Sequence, residues 1–317
     1  MVRRSRLECG GTANPSAARP AAGGRRGAGR HTTLTGFPAV APRRTSAAGV
    51  ALRALAVVLG ALLVLLLGLP LLSLVLRIPP GDLVARLRDP LILQALRLSL
   101  VTSLASTVIV AALGLPVAYL LATGEFRGKR VFEAFIDLPM VLPPTVAGVA
   151  LLTAFGRTGL AGQALSALGI TLPFTTLGVV VAQAFVAAPF FVGAARAGFI
   201  EVDRKYLDAA ATLRAAPGYA FLRVLVPLAA PSLFAGAAMS WARALGEFGA
   251  TITFAGNMPG VTQTMPLAVY LALQSDLDAA VALSVLLLLV SLTVLLSIRL
   301  TPSRLAALAA RARRAPR

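Results

Sequence analysis

Apolar residues in this chain gather into six long blocks separated by short polar stretches. Each block approaches the roughly 20 mostly apolar residues that a helix needs to cross a bilayer core. The blocks lie at about 53–76, 98–122, 134–155, 176–198, 221–243 and 279–298, with ends good to about two to four residues. The stretch from Leu55 to Leu76 is the cleanest and carries no charge at all. The pattern predicts an all-α membrane protein with six transmembrane helices.

Proline divides several of these blocks. Pro139, Pro143 and Pro144 fall close together at the start of the third, Gly114 and Pro116 lie in the second, Pro189 in the fourth, and Pro227 and Pro231 in the fifth. A proline inside a helix removes a backbone hydrogen bond and clashes with the preceding turn. In lipid the freed carbonyls must be buried in protein or face a wet cavity, so the third segment either lines a path or is a kink packed in the bundle. Asp137, just before the prolines, is placed to cap that span. Arg77 to Pro90, with Pro79, Pro80 and Gly81, reads as a short external loop. No period of 20 to 50 residues repeats, which excludes solenoids and propellers.

Composition supports the membrane reading. Of 317 residues, 57% are hydrophobic and 13% charged, and the mean hydropathy is +0.83; a soluble domain carries about a quarter charged residues. Lys and Arg then fix the orientation, because short cytoplasmic loops hold an excess of them. With both termini inside, the cytoplasmic side receives ten up to Arg53, three from Arg127 to Arg130, five between Arg196 and Arg223 and six from Arg299 onward, against six outside. The expected organisation is a disordered basic cytoplasmic tail over residues 1–50, a transmembrane domain over 51–300 with a polar loop at 201–220, and a basic cytoplasmic tail over 301–317. The first tail is too poor in apolar residues to offset its ordering entropy, whether it is a tail or an over-extended start of translation. Its arginines suit anionic lipid headgroups. Despite a net charge of +18, nucleic acid is excluded as a partner, since no aromatics alternate with the arginines and no folded reading element follows. Cys9 is the only cysteine and His31 the only histidine, so neither an internal disulfide nor a histidine metal cluster is available.

Catalytic constellations are missing: there is no HExxH, no GxSxG, and no histidine paired with an acid at membrane depth. Gly124 to Arg130, GEFRGKR, superficially resembles a phosphate-binding loop. Only three residues separate its glycines, and Arg130 stands where a Ser or Thr is needed for magnesium, so it reads as a turn. Energy for any uphill movement must come from elsewhere. Arg243 and Glu247, at i and i+4 after the fifth block, can pair on one helix face. Either they satisfy each other at the outer interface, or they fix the outer end of a gate while Thr251, Thr253 and the backbone of Gly246, Gly249 and Gly256 face the path. No unpaired Lys or Arg stands at mid-depth, as expected of a conduit, where a strong site would trap an ion.

Leu207 to Pro227, LDAAATLRAAPGYAFLRVLVP, is a polar, arginine-bearing loop between two apolar blocks. It resembles the coupling loop of importer permeases, which reads E-A-A, three residues, Gly, and closes on an apolar helix with Leu-Pro. Leu207 stands at the usual Glu, followed by Asp208, and Arg214 stands at the usual Gly, so the turn is expected to have moved to Pro217 and Gly218. Leu138 to Gly148, LPMVLPPTVAG, with Phe155, Gly156 and Arg157 beyond it, is similar to the third-helix signature of molybdate permeases. So is Arg243 to Tyr270, RALGEFGATITFAGNMPGVTQTMPLAVY.

The resemblance, over roughly residues 92–300, implies the six-helix bundle of a type I ABC importer permease. It implies a homodimer in the cell membrane with two cytoplasmic ATPase subunits, which hold the ATP and magnesium, and an external oxyanion-binding protein; no cofactor is expected in this chain. Asp208, Ala209, Ala210, Leu213 and Arg214 would carry the coupling. Pro143, Pro144, Glu247, Gly249, Thr251 and Thr253 would form the gate, with Glu247 a structural partner because a carboxylate repels an oxyanion. Molybdate is the implied cargo, with tungstate or sulfate as alternatives. An ion-gradient transporter or channel needing no ATPase, and a membrane enzyme, are the readings from other classes.

Overall fold

A computed structural model describes residues 47–79, 81, 83 and 89–314, with side chains over 49–296. The expected tail at 1–50 lies almost wholly outside the described residues, the loop from Arg77 to Pro90 is only partly within them, and the tail at 301–317 lies beyond the described side chains. The chain divides into two units, Met1–Leu59 and Gly60–Arg317. The first helix, α1 (Ala47–Leu76), starts in one and ends in the other, and none of its most apolar stretch is buried. A helix hydrophobic all round has lipid or another chain as its surroundings.

The second unit is helical. α2 (Pro90–Thr123) opens with proline at its first position, and Asp89 accepts a hydrogen bond from the Leu91 N–H at 2.9 Å, a start signal in which the missing proline N–H costs nothing. α3 (Lys129–Val141) and α4 (Pro144–Phe155) follow, bent by 116°. The third expected span is therefore a broken one. Leu142 and Pro143 both precede a proline and both adopt extended ψ values, 132° and 133°, because the pyrrolidine ring bars the helical region to the residue before it. Two such residues in a row turn the chain out of its axis. Asp137 does not cap this span: α3 begins earlier, after Gly128 in a left-handed conformation (φ 87°), leaving Asp137 inside the helix.

α5 (Gly162–Ala167) and α6 (Thr176–Glu201) come next, the latter capped by Thr175, whose hydroxyl accepts from the Gly178 N–H at 3.1 Å. α7 (Lys205–Thr212) and α8 (Pro217–Ala220) lead through a π-helical turn, Phe221–Leu225, into α9 (Val226–Leu245). Two short helices, α10 (Gly249–Ala255) and α11 (Met265–Leu273), precede α12 (Leu277–Arg314). Among the described residues, five helices are long and apolar enough to span a membrane, or six if α3 and α4 count as one span.

The core is three helices deep. α6 runs parallel to α2 and antiparallel to α9: Ser106 on α2 reaches the Val180 carbonyl at 3.0 Å and Gln183 Oε1 at 3.2 Å, Gly114 on α2 meets Phe191, and Ser240 on α9 donates to the Ala187 carbonyl at 3.1 Å. Bonds of this kind in lipid contribute about 0.6 kcal/mol each. The larger contribution is close approach. A Cβ added to Gly198 would overlap the Ser232 Cβ, so α6 and α9 touch almost backbone to backbone. Ser99, Thr102, Ser103, Ser106 and Thr107 are all buried on α2. Their polarity is tolerated because Thr102, Ser106 and Thr107 donate to carbonyls four residues earlier in the same helix.

Candidate functional site

Two short-helix pairs carry the residues singled out from the sequence, and α6, 26 residues long, separates them by roughly 39 Å at 1.5 Å per residue. At one end lies the α7–α8 elbow. Asp203 starts it by accepting from the Lys205 N–H at 3.0 Å and pairing with Lys205 Nζ at 2.7 Å. The Lys205 ammonium, and then its backbone N–H, hold the Asp203 carboxyl below its ordinary value of 3.8. Asp208 lies in the first turn of α7, where a carboxylate favours the positive end of the helix.

Leu207, in the place of the expected glutamate, turns inward and packs against the core cluster of Leu121, Phe199 and Leu225. An acid there would be desolvated without a partner; the apolar residue fits, and the acid moves to Asp208, which is exposed. Ala209 and Arg214 are exposed as well, Leu213 is 83% exposed, and Ala210 is buried, facing its own subunit. The turn has not moved to Pro217 and Gly218, which open α8. It stays at Arg214, which takes a left-handed φ of 55°. The Ala215 N–H donates to the Ala210 carbonyl at 3.0 Å and the Arg214 N–H to the Ala211 carbonyl at 2.9 Å. This is the helix stop in which glycine is usual. Arginine adopts it at a cost of roughly 1–2 kcal/mol.

The elbow is joined to the core by aromatic contacts that the sequence does not signal. Phe221, first residue of the π-helical turn, lies 4.7 Å from the Tyr119 ring on α2 and 6.0 Å from the Phe199 ring on α6, and Tyr119 and Phe199 meet edge to face at 6.2 Å. The widened turn has a cause in the sequence. Pro227 has no N–H and in a regular helix would press on the Arg223 carbonyl; an extra residue in the preceding turn, with the Val226 N–H reaching back to Phe221, relieves the clash. Nearby, Arg196 on α6 pairs with Glu133 on α3 at 2.9 Å, which ties the first half of the broken span to the core.

At the other end of α6, the structure brings the expected gate residues together. A Cβ on Gly249 would lie 2.6 Å from the Pro144 Cβ, and one on Gly148 would lie 2.6 Å from the Thr253 Cβ and 2.9 Å from the Ala250 carbonyl. α4 and α10 are thus in backbone contact, with Phe254 filling the space beside Ala147, Leu151, Ala182 and Val186. Glu247 is 1% exposed, pairs with Arg243, and accepts from the Ala250 N–H at 2.8 Å through its other oxygen. It fastens the start of α10 to the end of α9. The Thr253 hydroxyl donates to the Gly249 carbonyl at 2.8 Å, while Thr251 is fully buried and its hydroxyl has no partner. Pro143 and Pro144 are exposed.

Residues 114–305 match the family described as binding-protein-dependent transport system inner membrane component. Over 235 residues the chain is 45% identical to the molybdenum transport system permease protein ModB of Mycobacterium tuberculosis, covering 74% of this chain and 89% of that one. Over 217 residues it is 36% identical to the sulfate transport system permease protein CysT of Escherichia coli, covering 68% and 78%. Among solved structures, a chain of a bacterial ABC transporter involved in the import of the acidic polysaccharide alginate is similar with a TM-score of 0.66 at 15% identity, over 80% of this chain and 95% of that one. A chain of the MetNI methionine ABC transporter is similar with a TM-score of 0.53 at 19% identity, over 68% and 94%. At such identities the likeness concerns the fold.

Proposed function

We infer the function from a premise now in hand: the chain belongs to the binding-protein-dependent transport system inner membrane component family. It is a multi-pass membrane subunit of an ABC importer, a transport subunit whose ATPase is a separate partner. We propose that its cargo is molybdate. The observation that carries this is the 45% identity to a molybdenum permease along nearly that protein's whole length.

The proposed assembly is a homodimer of this chain with two ATPases, which hold the ATP and magnesium, and an extracytoplasmic oxyanion-binding protein. The unburied apolar α1 supports a second copy and lipid as its surroundings. The distribution of arginines supports cytoplasmic termini and a cytoplasmic elbow. On this reading, closure of the ATPases displaces α7 through Ala209, Leu213 and Arg214. Phe221 passes the displacement to Tyr119 on α2 and Phe199 on α6, and the α4–α10 pair opens outward and then inward in turn. The ATPase supplies the energy, and this chain supplies the lever and the gate.

Reconstitution in liposomes with the ATPase and the binding protein tests the proposal. Uptake of labelled molybdate should require ATP and both partners, with tungstate competing and sulfate competing less. Sulfate is the second reading, favoured by the likeness to CysT; preferential sulfate uptake would establish it. Uptake that persists without ATP while an ion gradient is kept would replace both with a gradient-driven transporter.

A further inference from the structure

We propose that the cavity between α4 and α6 is a transient site for the tetrahedral oxyanion ahead of the gate, with Arg157 as its cation. The proposal rests on the importer reading and its orientation, which put this cavity on the outer side, and adds a residue that reading leaves without a role.

The cavity has a volume of about 710 Å³, with Arg157, Thr158, Ser166 and Thr171 on its wall beside Phe155 and Phe174. No Asp or Glu lines it. Among the described residues, the side chains of these four make no hydrogen bond or ion pair with the protein. All four are exposed, so their donors face water in the hollow, whereas the buried Thr102, Ser106 and Thr107 hydroxyls are spent on their own helix and the half-buried Arg243 is paired with Glu247. A guanidinium and three hydroxyls without internal partners, facing one hollow with no negative charge, form a donor set suited to an anion. The planar fork of arginine matches two oxygens of a tetrahedral oxyanion.

The wall is built rather than loose. The Leu160 and Ala161 N–H groups donate to the Thr153 and Ala154 carbonyls at 3.2 and 2.8 Å, and the Ile170 N–H to the Leu165 carbonyl at 2.9 Å. Phe174 is held at a left-handed φ of 59°, its N–H aimed at the Phe254 carbonyl (3.4 Å) and its ring against Gly256 at the end of α10. Strain retained at such a position marks a side chain whose placement matters. Phe155 is the last residue of α4. The cavity therefore abuts both members of the α4–α10 pair. It is open enough for the ion to keep part of its water, which makes retention weak and release fast, as a hand-off requires.

The test compares the wild-type transporter with Arg157→Gln, Arg157→Lys and, as a control away from the cavity, Arg97→Gln. ATP-driven molybdate uptake at sub-saturating loaded binding protein should fall about tenfold in Arg157→Gln, as for one lost charge-assisted contact. Arg157→Lys should keep most of the rate, and Arg97→Gln all of it. Equilibrium dialysis of the permease–ATPase complex without binding protein should show salt-sensitive retention of labelled molybdate that Arg157→Gln lacks. Wild-type uptake in Arg157→Gln, or an equal loss in Arg97→Gln, would overturn the assignment. So would weakened docking of the empty binding protein to Arg157→Gln, which would make Arg157 a contact for an acidic protein surface. Absence of ATP-driven uptake in the wild type would instead sink the importer reading itself.

Discussion

Small residues serve opposite purposes in the two short-helix pairs at the ends of α6. In the α7–α8 elbow they leave a surface bare: Ala209 is exposed and Leu213 stands 83% in the open. In the α4–α10 pair they let two backbones touch, with Gly148 and Gly249 leaving no room for a Cβ and Ala250 wholly buried. The elbow meets its own subunit mainly through Leu207, Ala210 and Phe221. Such a segment can be pushed without tearing the core. α10 is fastened to the end of α9 through Glu247 and touches α4 backbone to backbone at Gly148 and Gly249. On the proposed importer reading, the difference separates a lever, which needs free surface, from a seal, which needs none.

The sharpest way to break this contrast is to spoil the free surface alone. Leu213→Asp combined with Ala209→Arg should reduce ATP-driven uptake to background and abolish co-purification with the ATPase, while the melting temperature stays within a degree or two, since exposed substitutions shift stability by about 0.5 kcal/mol or less. A large drop in melting temperature would show that these side chains support the fold. At the other end the expectation inverts. Gly249→Val should destabilise by about 1–3 kcal/mol through overpacking against Pro144, lowering melting temperature and transport together; wild-type melting would show that α4 and α10 can separate freely. Glu247→Gln keeps an acceptor for the Ala250 N–H but loses the charge pair, which is partly exposed on the Arg243 side. A loss of about 1–2 kcal/mol is expected, with uptake slowed, and an unchanged rate would leave the residue a bystander. The smallest effect sharpens the comparison from the elbow side. Arg214→Gly removes the left-handed strain and should raise stability by about 1 kcal/mol, read as a higher melting temperature; no rise would mean that the arginine is repaid by contacts not seen in the chain alone.

The spans were legible because burial in lipid needs only length and apolar composition, and the ends of α1, α6 and α9 fall within a few residues of the expected ones. The break between α3 and α4 was half legible. Pro143 and Pro144 announced a defect, but hydropathy records composition and not direction, so it could not show that the axis turns by 116°. Arg214 misled because a missing glycine suggested a displaced turn, whereas the Ala210 and Ala211 carbonyls demand their partners wherever α7 ends. Asp137 misled because the helix start was placed too late. Glu247 pairs with Arg243 as the i, i+4 spacing allows, but its second bond needs α10, a seven-residue helix too short for periodicity to reveal. The Tyr119, Phe199 and Phe221 cluster joins three distant segments and leaves no local signal.

The π-helical turn at Phe221–Leu225 makes the distance along the chain from the elbow to the α4–α10 pair a matter of angle. One residue rotates a helix by about 100°. Deleting a single residue there would swing the elbow about a quarter of a turn around the helix axis and, on the proposed reading, aim it away from its ATPase. The count of residues across that turn is thus as strictly fixed as the spacing of teeth on meshing gears, alongside the Phe221 ring and the buried Leu225 within it.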